Sequence, residues 1–254
     1  MDKRRFEEMV PEELLRVQRE KKAVFLPVGS MEWHGPHMGM GMDTLHAERV
    51  ALRLAKEMGG AVFPPLYIGT ENERTPESLK RLGFSGEETI KGMDFPANTV
   101  KSCYWPPELF YRIVKQQVDM LLDMGFRRIV ILNGHASAVQ KELLGKICEE
   151  EQADGAAVIS ITVLFKDCGT GLGHAGLAET SIMQSIRPEA VDLGQLPPKP
   201  ELLYYKEFGI ADSGGSSSGY FVRHDPRDAS GELGENILDF EVERCRSILE
   251  EMMQ

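Results

Sequence analysis

Residues 23–43 read AVFLPVGSMEWHGPHMGMGMD. The first seven form a compact apolar run closed by a glycine, the pattern of a strand buried on both faces. Residues 28–43, VGSMEWHGPHMGMGMD, then set one glutamate, two histidines and an aspartate among glycines and methionines, with no lysine or arginine. Asp43 offers an N-cap to the following helix, TLHAERVALRLAKEM, in which Ala47, Val50, Ala51, Leu54 and Met58 make one apolar stripe. Gly59-Gly60 ends that helix. A strand, a polar loop and a covering helix make the repeating unit of a parallel sheet.

The unit recurs outward from this stretch. AVFPPLYIG (61–69) reads as a second strand broken by its prolines. Pro107 occupies the first turn of a helix whose Phe110, Ile113, Val114, Val118, Leu121 and Leu122 repeat at helical spacing, with Gly125 as its stop. RRIVILNG (127–134) is the next strand, followed by a helix over 138–152. AAVISITVLF (156–165) is the longest apolar run and reads as a central strand. A helix ending near Arg187-Pro188 and an amphipathic helix over 235–253 complete the pattern. The alternation predicts one doubly wound α/β domain over residues 1–254. The polar stretch from Thr70 to Trp105 has the length of a functional lid or a subunit contact, and SGGSSSG (213–219) reads as a flexible connector.

At 254 residues and 42% hydrophobic content the chain can bury a sizeable core. Its formal charge of −11 argues against nucleic acid or an anionic membrane as partner. No apolar run serves as a signal-peptide core or a bilayer span. Cys103, Cys148, Cys168 and Cys245 form no C-x-x-C pair, so reduced thiols in a cytoplasmic protein are expected, with Cys168 a small packing residue.

In doubly wound sheets ligands bind beyond the carboxyl ends of the strands. Five of the six histidines lie in or beside three loops that leave such ends: SMEWHGPHMGMGMD (30–43), NGHAS (133–137) and CGTGLGHAGLAETS (168–181). Glu32 and His34, two apart in an extended segment, point the same way and suit Zn²⁺ or Mn²⁺. Asp43 could bridge two such ions, against the plainer reading of a helix cap. His135 arrives at the same sheet edge, His37 reads as loop packing, and His46 falls inside the helix. A rival motif stands in the third loop: Gly171, Gly173 and Gly176 spell G-x-G-x-x-G, with Glu189 and Asp192 near the spacing of a ribose-binding acid. The histidine inside it would crowd a pyrophosphate, so this reading ranks below hydrolysis.

These segments resemble the creatininase (creatinine amidohydrolase) family. VGSMEWHGPHMGMGMD is similar to its first signature, NGH to the second, HAGLAETS (174–181) to the third and HDPRDASGELG (224–234) to a late segment. The resemblance runs from residue 24 to 235 and is weakest over 70–105. It implies a metal-dependent amidohydrolase on a three-layer α/β/α fold with a mostly parallel sheet, assembled as a homo-oligomer, a hexamer in the family. It puts Glu32, His34, Asp43 and His135 on metal-ligand positions, Asp43 as the bridge, and His174 on a position that assists proton transfer. Ala136 and Ser137 stand where the family has a tyrosine and a metal-binding glutamate, so a second ion would draw on Glu179 or a water. Neither Trp33 nor Trp105 falls on the tryptophan positions that close on creatinine, so a different substrate is expected.

The expected chemistry is hydrolysis of a C–N bond in a small, cyclic or similar amide by water activated at one or two divalent ions, Zn²⁺ foremost, with Mn²⁺ and Fe²⁺ as alternatives. Glu179 or His174 would move the proton, and Glu179 cannot be both ligand and base. A ring-opening hydrolase of a cyclic sugar ketone (keto-inositol type) is the nearest alternative. A nucleotide-binding oxidoreductase and a non-catalytic binding module are the alternatives from other classes.

Overall fold

The computed structural model describes residues 3–152, 155–163, 170, 173–212 and 219–252. Along the chain lie α1 (Pro11–Arg19), β1 (Val24–Val28), α2 (Met42–Met58), β2 (Ala61–Val62), α3 (Pro76–Arg81), α4 (Pro107–Asp123) and β3 (Arg128–Asn133). They are followed by α5 (Ala138–Glu150), β4 (Ala157–Thr162), β5 (Gly173–His174), α6 (Leu177–Ile186), α7 (Tyr205–Phe208), β6 (Ala211–Asp212) and α8 (Gly231–Met252).

The main sheet has the order β2-β1-β3-β4, and every pairing is parallel. Alternation along β1 and β3 shows why β1 and the middle of β3, residues 129–132, are apolar throughout. Val24, Leu26, Val28, Ile129 and Ile131 face a core completed by Phe110, Val114 and Leu121 of α4 and Leu144 and Ile147 of α5. Phe25, Val130 and Leu132 face the opposite core, with Val50 and Leu54 of α2, Ile182 of α6 and Leu238 of α8. Each such side chain, fully withdrawn from water, stabilises the fold by about 1.5–3 kcal/mol before chain entropy is counted. Helices therefore cover both faces of a mostly parallel sheet, the three-layer α/β/α arrangement expected.

Several local expectations are corrected. β4 lies at the edge of the described sheet rather than at its centre, and Ile159, Ser160 and Thr162 are only half-buried. Its apolar run continues towards Phe165, outside the described residues. Gly41, not Asp43, is the N-cap of α2, and no side chain caps that end. The 61–69 strand keeps only Ala61 and Val62 as a ladder; after Pro64-Pro65 the chain rejoins β1 through Leu66 N–H donating to the Pro27 carbonyl and Gly29 N–H to that of Leu66. The last helix begins at Gly231, four residues before the expected start. α1, whose start Pro11 and the Glu12-Glu13 pair mark, and the antiparallel β5–β6 pair were not among the predicted elements.

The Thr70–Trp105 stretch carries α3 and a small core of Leu79, Ile90, Met93 and Phe95. Its end is tied to the loop after β1 by Cys103 N–H donating to the Met31 carbonyl, and to the segment after β2 by Trp105 N–H donating to that of Gly69. Cys168, Gly171 and residues 213–218 of the expected connector lie outside the described residues. No described helix is long and apolar enough to cross a membrane.

Candidate metal centre

Three chain segments meet at the carboxyl ends of β1 and β3, and two glycines let them approach. A Cβ on Gly29 would stand 2.4 Å from the Thr44 nitrogen, so the start of α2 rests directly on the end of β1. A Cβ on Gly134 would stand 1.9 Å from the Asp43 carbonyl oxygen, so the loop after β3 rests on the first turn of α2. The buried Asp43 carboxylate, freed from capping, is thereby set between two histidines. Its Oδ1 lies 3.2 Å from His34 Nε2 and its Oδ2 3.0 Å from His135 Nδ1.

The remaining donors close around this pair. Glu32 Oε2 lies 3.3 Å from His135 Nδ1 and 3.6 Å from His174 Nδ1. Glu179 Oε2, at the start of α6, lies 3.7 Å from His34 Nε2. Their donor atoms form compact groups, Glu32–Asp43–His135, His34–Asp43–Glu179 and Glu32–His34–His174, each with its atoms within 4.8 Å of one another. His34 Nε2 and Asp43 Oδ2 are buried and make no hydrogen bond. Buried polar atoms without partners are costly unless something else satisfies them. A carboxylate shared between two imidazole-bearing groups is a donor set that fits a divalent cation.

Charge balance within the cluster follows from burial and these contacts. Burial opposes charge on His34, but Asp43 and Glu179 outweigh it and lift its pKa to about 10. His135 is raised well above its ordinary value: burial opposes its charge, and Glu32 and Asp43 overcome that opposition. Burial would raise Glu32, yet His135 and His174 bring it down to about 2, and Asp43 is lowered by its histidines in the same way. Burial dominates at Glu179, which rises to about 7. His174 falls to about 4 through burial and the nearby charge of His34. Its Nε2 sits 2.5 Å from the Trp33 carbonyl oxygen and must donate there, which leaves Nδ1 as the free acceptor facing Glu32.

The other histidines fall outside this set. His37 Nε2 pairs with Thr180 Oγ1 at 3.0 Å, in keeping with loop packing. His46 is buried in α2 against Glu241 of α8, and the ring of His224 lies beside Asp212 at 3.7 Å. Within the glycine motif, Gly173 serves local packing: a Cβ there would stand 2.6 Å from the Ala211 carbonyl oxygen in the β5–β6 pair. Asp192 caps its own turn through Gly194 N–H, and Glu189 is exposed.

Two contributors had no sequence signal. Tyr104 donates its hydroxyl proton to Glu32 Oε1 and accepts from Met93 N–H at 2.9 Å. Glu71 also reaches the cluster, with Oε2 3.8 Å from His135 Nε2. Both lie in the Thr70–Trp105 stretch, where no periodicity marks them. Glu71, with Arg74 and Lys141, helps wall a cleft of about 400 Å³ that opens on the cluster. A larger cavity, about 730 Å³, lies at the amino ends of the strands, but it has no histidine and its glutamates, Glu20, Glu57 and Glu250, are exposed.

The creatininase profile, described as creatinine amidohydrolase, matches residues 7–249. The chain is 26% identical over 245 residues to a creatinine amidohydrolase of Pseudomonas putida, covering 88% of this chain and 87% of that protein. It is 26% identical over 242 residues to a mycofactocin precursor peptide peptidase of Mycobacterium ulcerans, covering 89% and 83%. A 3-dehydro-scyllo-inosose hydrolase of Thermotoga maritima is 25% identical over 130 residues, 51% of this chain and 35% of that one. Among solved structures, a creatinine amidohydrolase superposes with a TM-score of 0.71 at 24% identity, covering 99% and 98%. A manganese creatininase and a mutant creatininase of Zn–Zn type superpose at 0.70 and 0.71, both at 23% identity and 99% coverage of each chain.

Proposed function

The chain belongs to the creatininase family, and from that premise we propose that it is a metal-dependent amidohydrolase cleaving a C–N bond in a small, cyclic or similar amide. The observation that carries the reading is Asp43, buried with one oxygen towards His34 and the other towards His135. Glu32, Asp43 and His135 would hold one divalent ion, and His34, Asp43 and Glu179 a second, with Asp43 common to both. Zn²⁺ suits these donors first, with Mn²⁺ or Fe²⁺ as alternatives. Such an ion supplies polarisation of the substrate carbonyl and lowers the pKa of water towards about 7.

The chain's own residues then divide the remaining work. Glu179 acts as a ligand. His174 moves the proton, because its Nε2–H is committed to the Trp33 carbonyl and its Nδ1 is free, neutral near pH 7, and turned to the cluster. The 400 Å³ cleft suits a small substrate. Trp33 is buried with its indole N–H donating to the Phe208 carbonyl at 2.9 Å, which supports a substrate other than creatinine. A single domain, a homo-oligomeric (hexameric) assembly and a cytoplasmic location belong to the same proposal. Similarity to the Thermotoga maritima hydrolase over half the chain supports ring opening of a cyclic sugar ketone as the second reading.

Metal analysis of the purified protein, with turnover assayed across lactams, formamides and ring ketones, tests this directly. Bound Zn, Mn or Fe, and activity lost in chelator, are expected. Protein that carries none of these ions and keeps its stability unchanged in chelator overturns the reading.

A further inference from the structure

Glu71 follows Gly69-Thr70 and lies far in sequence from the loop after β3, yet the fold fixes one against the other. Thr70 N–H donates to Gln140 Oε1 at 3.0 Å, and Gln140 Nε2 donates to Asn133 Oδ1 at 2.8 Å, so α5 ties the two segments together. The carboxylate itself is held: Glu71 Oε1 accepts from Ser137 Oγ at 3.1 Å and from Asn72 N–H at 2.9 Å. Ser137 does this while capping α5. The other oxygen, Oε2, is turned to His135 Nε2.

An imidazole that offers one nitrogen to a metal carries its proton on the other, and that N–H needs an acceptor when buried. His135 turns Nδ1 to Glu32 and Asp43, while Nε2 is buried and makes no hydrogen bond. Among the described residues, Glu71 is the one carboxylate within 4 Å of that nitrogen. The 3.8 Å gap is one that a bridging water or a small side-chain rotation closes.

We propose that Glu71, held by Ser137, is a positioning residue for metal binding: it accepts the Nε2 proton of His135 and so aims Nδ1 at the ion. A carboxylate is thereby delivered from the Thr70–Trp105 stretch to a site whose own loop carries serine at position 137. This rests on the metal-binding reading above. Removing a carboxylate in such a triad lowers metal affinity about 10- to 100-fold.

The test measures Zn²⁺ affinity by chelator competition, and the visible spectrum of the Co²⁺-substituted protein. Glu71→Gln is expected to bind Zn²⁺ about 10- to 100-fold more weakly and to shift the Co²⁺ bands, with the metal-free protein melting as wild type. Ser137→Ala should shift affinity the same way, and the double variant should bind no worse than Glu71→Gln alone. Wild-type protein that binds Zn²⁺ alongside a Glu71→Gln variant of equal affinity overturns this inference alone; so does weaker binding that accompanies a destabilised metal-free fold. Wild-type protein that binds no ion overturns both this inference and the reading beneath it.

Discussion

Gly134→Ala would probe the whole site through one methyl group. The added Cβ would start 1.9 Å from the Asp43 carbonyl oxygen, where real contacts stay beyond 3.0 Å. The loop after β3 and the first turn of α2 must therefore part by roughly 3.0 − 1.9 = 1.1 Å. His135 and Asp43 sit on opposite sides of that contact, 3.0 Å apart at Nδ1 and Oδ2. Metal ligation tolerates only about 0.2 Å in each ligand distance, so affinity should fall at least about 100-fold. Overpacking of this kind costs about 1–3 kcal/mol, which in a chain of this size lowers Tm by about 2–12 °C. Gly145→Ala is the control: a Cβ there meets nothing within 4 Å, and the helical position should gain up to about 1 kcal/mol. Chelator competition and thermal unfolding read both effects. A folded Gly134→Ala protein with wild-type affinity would refute the claim that this backbone contact sets the ligand geometry.

Tyr104→Phe removes the proton donor to Glu32 and leaves Met93 N–H without its acceptor. It should cost about 1–3 kcal/mol in equilibrium unfolding and about 10-fold in metal affinity; unchanged affinity would show that this contact does not bear on the site. The buried His46–Glu241 pair predicts a pH effect. Burial opposes charge on His46, but Glu241 raises its pKa above the ordinary value. The pair's stabilisation is then complete below the unfolded pKa of about 6.5 and is lost as pH rises through the higher folded value. Glu241→Gln should cost about 3–5 kcal/mol at pH 6. The gap from wild type, followed by unfolding of metal-free protein, should narrow at alkaline pH, and a constant gap would contradict the pairing.

What could be read in the chain beforehand follows from how local each signal is. β1 and residues 129–132 of β3 are apolar at every position because two cores need them, and that requirement is written residue by residue. Glu32 and His34 share a direction because they share a strand-like segment, and the spatial meeting of Glu32, His34, Asp43, His135 and Glu179 followed once strand ends were placed on one edge. Sheet order is different. The apolar run at 156–165 marks β4 as a strand, but encodes neither its half-buried face nor its place at the edge of the described sheet. Asp43 was ambiguous because the same side chain suits a cap and a ligand, and the arrival of His135 from another segment decides where its oxygens turn. Tyr104 and Glu71 meet their partners across 72 and 64 residues, the separations of Tyr104 from Glu32 and of Glu71 from His135. No periodicity encodes contacts that long.

The Asn133-Gly134 step has a further consequence, for chemical ageing. Asn-Gly deamidates readily in mobile chains, because the glycine nitrogen attacks the asparagine amide and closes a five-membered imide. Here Gly134 N–H is committed to the Val28 carbonyl at 2.8 Å. The Asn133 amide donates to the His135 carbonyl and accepts from His135 N–H and Gln140 Nε2. Neither partner can rotate into the attack geometry without unpicking the turn that presents His135. A bond prone to spontaneous damage is thus shielded by the contacts that build the site, and its decay should follow the fraction of molecules transiently unfolded at that turn.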